Sequence, residues 1–235
     1  MAWVSLFSGG KDSAWALHRA LDDGLSVARL VTVHPDEDSF LYHVPATELA
    51  GLAAESIGIE LLEVESSGHE GTDSSARGDA ELEPLERALR ELDADIDGGL
   101  TGVVAGAIES EFQTSRIEAM CERLDIDLFA PLWQRDPRAL ADAMLAAGFE
   151  IRVIAVAAAG LDESWLGRTL DAEAFDELEG LNDDYGVHLL GEGGGFETLV
   201  TDGPQMERPL KLEYETEWDG VRGRLRITDA WLGDS

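Results

Sequence analysis

Sulfur crosslinks are the first thing this chain lacks. Cys121 is its single cysteine among 235 residues, so no intramolecular disulfide can form, which fits a reducing compartment such as the cytosol. Lysine is nearly absent as well: of 17 basic residues only Lys11 and Lys211 are lysines, against 49 acidic residues, for a net charge of −32. That balance removes the basic footprint on which nonspecific nucleic-acid binding depends. Long apolar runs are missing too. The most apolar segment, Ile151 to Leu161, is short and carries Arg152, well below the about 18 apolar residues of a membrane span. The amino-terminal apolar run ends at Phe7 without a basic flank, too short for a signal peptide. A cytoplasmic protein away from membranes is expected. The five histidines and one cysteine form no metal-ligand spacing, and neither a repeat nor a low-complexity linker is visible.

The acidic residues run along the whole chain, as in Asp22-Asp23, Glu81 to Asp97, Asp162-Glu163 and Asp183-Asp184, with no acidic tail. Two readings follow: an acidic protein with a basic partner, or a halophilic protein from a cell that keeps molar salt inside. Dispersed acid with almost no lysine favours the second. At molar salt the Debye length is about 3 Å, and self-repulsion of this size is screened.

An apolar share of 44% with six tryptophans supplies a sizeable core. Through the first half, strand-like and helix-like segments alternate. Strands are expected at Ala2 to Phe7, Val27 to Val33, Ile59 to Val64, Gly102 to Ala105 and Asp127 to Ala130. Helices are expected at Ser13 to Leu21 (Trp15, Leu17 and Leu21 inward), Thr47 to Ile57 with Thr47 as cap, Glu81 to Leu92, and Ser110 to Leu124. Such alternation predicts a parallel sheet covered on both faces. Two polar loops, His34 to Pro45 and Ser66 to Gly78, follow strands, where ligands of open α/β sheets sit; the competing reading is plain surface loop. After Pro131 the pattern changes to a helix at Pro137 to Ala147, a strand at Ile151 to Val156 and an acidic helix at Ala172 to Asp184. A hairpin, Leu210 to Trp218 with Val221 to Ile227, follows around Asp219-Gly220, read as a tight type I′ turn. The expected division is a nucleotide-binding domain at 1–132 and a smaller α+β domain at 133–235.

Between the first strand and first helix stands Ser8-Gly9-Gly10-Lys11-Asp12-Ser13. Glycines let backbone approach a phosphate, the helix start offers unpaired N–H groups and a positive dipole end, the two serines add hydroxyls, and Lys11 adds charge. Asp12 is suited to Mg²⁺. Ser5 stands where a Walker A loop needs glycine, and Asp12 where it needs serine or threonine. Further on come Gly106-Ala107-Ile108, Phe112-Gln113, Arg116-Ile117-Glu118, Pro131-Leu132-Trp133-Gln134-Arg135, Gly160-Leu161-Asp162, Leu166-Gly167-Arg168, Gly191 to Leu199 and Asp202-Gly203-Pro204.

The hexapeptide resembles the pyrophosphate loop of the PP-loop ATP pyrophosphatases. With the later segments the chain resembles the diphthine–ammonia ligase family over nearly its whole length. The resemblance implies a five-stranded parallel sheet of the adenine nucleotide alpha hydrolase-like type, and an adenine site on backbone near Thr32 and Val33. It also implies ATP with Mg²⁺ at Ser8 to Ser13, with Gly106, Ala107 and Arg116 contributing to the nucleotide site. The implied reaction is ATP-dependent amidation of diphthine on translation elongation factor two with ammonium, and a homodimer is compatible with it. Lys11, Asp12, Glu192 and Glu197 are the candidate catalytic residues, the two glutamates acting on ammonium. Arg116, Arg135 and Arg168 are candidates for the α-phosphate; a surface ion pair is the competing reading for each, and a salt bridge for the glutamates. His34 and His43 are weaker candidates. Gly195 and Phe196 depart from the family pattern, which carries an acid and a tyrosine there. Two other functions stay open: another adenylating enzyme of the superfamily, and a nucleotide-binding module without turnover.

Overall fold

The computed structural model describes residues 1–34, 49–65, 74–108 and 111–234, without the side chains of 74–81 and 111–113. Most of the loop His34 to Pro45, Thr47, His43 and the first part of Ser66 to Gly78 lie outside these residues, as do the side chains of Phe112 and Gln113. The chain divides into two compact units. One comprises Met1–Ser8, Asp12–Ala50 and Ile59–Trp133; the other comprises Gly9–Lys11, Gly51–Gly58 and Gln134–Ser235.

In the first unit, β1 (Ala2–Leu6), β2 (Val27–His34), β3 (Leu61–Glu65), β4 (Leu100–Val104) and β5 (Asp127–Phe129) form one parallel sheet in the order β3-β2-β1-β4-β5. The strands are linked by α1 (Lys11–Asp22), α2 (Ala50–Ile57), α3 (Ser74–Asp95) and α4 (Glu111–Leu124). The expected five-stranded α/β architecture is therefore present. Val4, Val31, Val33, Val64 and Val103 supply one sheet face and pack with Leu82, Leu85 and Leu89 of α3 and Met120 and Cys121 of α4. Burial pushes the Cys121 thiol up to about 11, with the charges of Glu118 and Asp127 adding to the effect. Ser5, Leu30 and Thr32 alternate with these valines and point to the opposite face. The winding direction reverses after β3, so right-handed crossovers put α1 on the face opposite α4.

Three local expectations are corrected. Helix α1 begins at Lys11, two residues before the expected Ser13, because Lys11 and Asp12 take its first-turn positions. Leu21, expected inward, is 36% exposed at the helix end, while Trp15 and Leu17 are buried. Helix α3 extends upstream of Glu81 to Ser74, across Gly78, and also contains Pro84. The helical pattern of leucines after Glu81 marked only its later part.

In the second unit, β6 (Glu150–Val156), β7 (Phe196–Asp202), β8 (Leu210–Trp218) and β9 (Gly223–Leu232) form an antiparallel sheet in the order β7-β6-β9-β8. Helices α5 (Pro137–Ala146) and α6 (Ala172–Tyr185) bury Leu140, Met144, Phe175 and Leu178. Both start on an aspartate cap: Asp136 accepts from the Ala139 N–H at 2.8 Å, and Asp171 from the Ala174 N–H at 2.9 Å. The β8–β9 turn is longer than expected. Trp218 pairs with Gly223, and Asp219 Oδ1 accepts from the N–H groups of Val221 and Arg222 at 3.0 and 2.9 Å. The aspartate side chain closes this loop locally, so it does not need the two left-handed residues of a type I′ turn.

The segment Gly51–Gly58 joins the second unit through Ser56. Its hydroxyl donates to the Arg208 carbonyl at 2.5 Å and accepts from the Arg208 N–H at 3.0 Å, while its carbonyl accepts from the Glu207 N–H at 2.9 Å.

Candidate functional site

In the first unit the strand order reverses beside β1, and the carboxyl ends of β1 and β4 lie next to each other. This is the switch point at which open parallel sheets bind ligands. Ser8 stands just past β1, and Gly9 takes φ +81, a left-handed turn that glycine adopts without strain. The Ser8 N–H donates to Ser13 Oγ at 3.2 Å, and the two serine hydroxyls are also 3.2 Å apart. Lys11, Asp12 and Ser13 occupy the first turn of α1, where backbone N–H groups have no partner within the helix and the dipole is positive. Such an end binds anions.

Gly106, past β4, packs directly on this turn. A Cβ there would meet the Asp12 carbonyl carbon at 2.6 Å and the Ser13 nitrogen at 2.8 Å. Both are backbone atoms, so the first turn of α1 must move to admit a methyl group. Gly106→Ala is expected to cost about 1–3 kcal/mol of overpacking and to lower nucleotide affinity at least about tenfold. Gly51→Ala, where a Cβ meets nothing within 4 Å, should be neutral or stabilising. Nucleotide titration and thermal melts of the two variants test this contrast; equal behaviour would remove the role given to Gly106.

Gly9 and Lys11 make their described contacts within the second unit. The Gly9 carbonyl accepts from the Val200 N–H at 2.9 Å, and the Lys11 N–H donates to Thr198 Oγ1 at 3.3 Å. Lys11 is 3% exposed; its Nζ donates to the Leu190 carbonyl and lies 5.7 Å from the Phe196 ring centroid. A buried ammonium is tolerable when a carbonyl and an aromatic face receive it. The glycine-rich stretch Gly191 to Gly195 lies between Leu190 and Phe196.

The other residues named from sequence sit as follows. Thr32 is buried in β2 and its hydroxyl has no hydrogen-bond partner among the described residues; the same holds for Ser5 on that face. Val33 is buried on the other face, within the valine cluster. Ala107 follows Gly106 in the loop after β4, and Arg116 is half-buried on α4. Glu192 is half-buried in the glycine-rich turn, and Glu197 is half-buried on β7, paired with Ala155 of β6. Arg135 is exposed. Arg168 donates to both carboxylate oxygens of Glu177 at 2.7 Å and stacks on Trp165 at 4.5 Å. That bidentate hydrogen bonding holds the Glu177 carboxyl below its ordinary range, and it engages both terminal nitrogens of the guanidinium in an ion pair. His34 faces Glu63 at 3.6 Å.

His188 was not singled out from sequence. Its Nδ1 accepts from the N–H groups of Leu190 at 3.2 Å and Glu192 at 3.3 Å. Only its position just ahead of the glycine-rich motif hinted at a role. Among the described residues no group of three or more histidine, cysteine, aspartate or glutamate side chains is arranged to hold a metal, and no helix is long and apolar enough to cross a membrane.

A family model described as the diphthamide synthase N-terminal domain matches residues 1–128, and one described as the diphthamide synthase C-terminal domain matches residues 136–232. Among curated relatives, a Danio rerio protein named diphthine–ammonia ligase is 35% identical over 224 residues, covering 91% of this chain and 87% of its own length. The Homo sapiens protein of that name is 31% identical over 226 residues, covering 91% of this chain and 83% of its own. The Schizosaccharomyces pombe protein is 34% identical over 220 residues, covering 90% of this chain; it is a longer protein, of which the match spans 36%.

Proposed function

We propose a reaction for this chain from one premise: it belongs to the diphthamide synthase family, whose curated members are named diphthine–ammonia ligases, and it is an enzyme of that ligase type. The chain binds ATP at Ser8 to Ser13 and uses it to activate the diphthine carboxylate on translation elongation factor two. A carboxylate oxygen attacks the α-phosphorus, pyrophosphate leaves, and ammonia then displaces AMP from the acyl carbon to give the amide of diphthamide. A carboxylate is a poor acyl donor, and an acyl adenylate supplies the leaving group. The observation that carries this reading is the hydrogen-bonded Ser8–Ser13 loop on the first turn of α1, at the switch point of the sheet and against Gly106.

Asp12 fits a role with Mg²⁺. A carboxylate in the first turn of a phosphate-binding helix repels a triphosphate unless a cation lies between them. Mg²⁺ is commonly held by one or two carboxylates together with substrate phosphates, and Asp12 would supply one of them. Held there by Asp12, the ion would supply charge neutralisation for the phosphates. Ser8, Gly9, Gly10, Ser13 and the α1 N-terminus supply donors, Lys11 is tied in place beside them, and Gly106, Ala107 and Arg116 complete the nucleotide side. Backbone at Thr32 and Val33 serves adenine. Glu192 and Glu197 serve the ammonium side, since the attacking amine must lose a proton. The protein works in the cytoplasm, and its −32 charge suits molar salt. The proposed domain division is 1–132 and 133–235.

The test is incubation with ATP, ammonium and diphthine-bearing factor, following AMP, pyrophosphate and conversion of carboxylate to amide. Glu197→Gln should leave ATP affinity within about twofold and slow amide formation about 10²-fold or more. Gly195→Glu, which restores the family acid, has room: a Cβ there lies 3.5 Å from Ala158 Cβ, an ordinary contact. It should retain or raise turnover. Loss of ATP binding in Glu197→Gln would reverse the role given to that residue, and absence of amide product with wild-type protein would remove the reaction.

A further inference from the structure

His188 organises the turn that carries Glu192, and the reaction above gives the histidine itself no role. Its carbonyl accepts from the Gly191 N–H at 2.9 Å, while its ring Nδ1 accepts from the N–H groups of Leu190 and Glu192 at 3.2 and 3.3 Å. One residue thus receives three successive backbone donors. A ring nitrogen that accepts two N–H groups carries no proton, so the side chain is the Nε2–H tautomer. With the amide nitrogens of this turn gathered on His188, the Leu190 carbonyl is fixed in direction, and it receives Lys11 Nζ. Lys11 is buried, at 3% exposure, and its main-chain N–H is tied to Thr198 Oγ1. The adjoining Gly9 carbonyl is tied to the Val200 N–H. The phosphate loop is therefore anchored at both ends of its glycine pair, and one anchor depends on a carbonyl that His188 aims.

We propose that His188 is a positioning residue for the phosphate loop, acting through the Leu190 carbonyl on Lys11. The inference rests on the reading of Ser8 to Ser13 as the ATP phosphate site. The Lys11 ammonium is spent on holding the loop in shape, and the backbone N–H groups of the loop and helix start hold the phosphates. His188 never touches the reacting atoms. Removing its acceptor frees the Leu190–Glu192 turn and releases Lys11, so ATP capture falls more than turnover of bound substrate does.

Three variants and one spectrum test this. His188→Leu keeps bulk and removes the acceptor; it should raise the KM for ATP about tenfold or more, with a smaller change in kcat. His188→Asn places Oδ1 near the Nδ1 position and should return the KM to within about threefold of wild type. Lys11→Met should raise the KM as well, and the double variant Lys11→Met/His188→Leu should be little worse than Lys11→Met alone, since the two act through one contact. Additive effects, or an Asn variant as impaired as the Leu variant, would overturn the proposal. If His188→Leu does not fold, ¹⁵N imidazole spectra of the wild-type protein still decide: an unprotonated Nδ1 with a protonated Nε2 is expected, and a protonated Nδ1 would overturn it. That spectrum needs no nucleotide, so failure of the ATP reading, seen as wild-type protein that binds no ATP, is distinguishable from failure of the His188 role.

Discussion

Asp12→Ala and Ser13→Ala are expected to abolish AMP formation while the protein stays folded. Both side chains are half-buried in the first turn of α1, so neither truncation opens a core cavity. Ser13→Ala removes the acceptor of the Ser8 N–H, a stability cost of about 1 kcal/mol, which for a chain of this size lowers Tm by about 2–4 °C. Asp12→Ala removes a carboxylate that complements the helix dipole, worth about 0.3–1 kcal/mol at a surface. The effect on chemistry is much larger. Loss of one preorganised group that stabilises transition-state charge costs about 10²–10³ in kcat; loss of Asp12, the proposed Mg²⁺ ligand, should cost at least as much. Pyrophosphate release measured beside circular dichroism and thermal melts separates the two effects. Wild-type turnover in either variant removes the phosphate-loop assignment.

The second large effect is on salt. Stability and activity should rise from dilute buffer to molar KCl, with Tm climbing by at least about 10 °C. Two like charges 10 Å apart repel by about 0.4 kcal/mol in water, and an excess of 32 negative charges makes many such pairs. At molar salt the Debye length is about 3 Å, which removes repulsion at that range. Attraction at contact survives better, and the ion pairs are contacts: Arg123 with Glu86 at 2.6 Å, Arg138 with Asp176 at 2.7 Å, Arg208 with Glu55 at 2.8 Å. Salt therefore trims repulsion more than it trims these bridges. Relief of about 5 kcal/mol corresponds to about 10–20 °C in a chain of this length. A Tm that is flat between low and molar KCl would exclude salt adaptation and return attention to a basic partner.

The sequence by itself determined the class of the fold and the place of the Ser8–Ser13 turn between a strand and a helix start, because both rest on local physics. Alternating apolar runs such as Val27 to Val33 and helical leucine spacing at Leu82, Leu85 and Leu89 dictate burial whatever the partner, and these residues do line the core. Two glycines between a strand and a helix leave little choice but a tight turn onto a helix start. Where local rules competed, the reading missed. Leu21 fits an inward stripe but falls at the exposed end of α1, and Asp219-Gly220 fits a two-residue turn but is closed by the Asp219 carboxylate. Tertiary structure alone decided what joins residues far apart in the chain. Ser56 is bonded to Arg208, Lys11 to Leu190 and Thr198, and Gly106 presses on Asp12. No periodicity or propensity encodes such partners, since each depends on where the sheet order and the antiparallel register bring a backbone group within about 3 Å of a donor. That is also why Arg168, equal to Arg116 in the sequence as a phosphate candidate, is held by Glu177 in the fold, and why His188 acquires a role only once the turn it holds is seen.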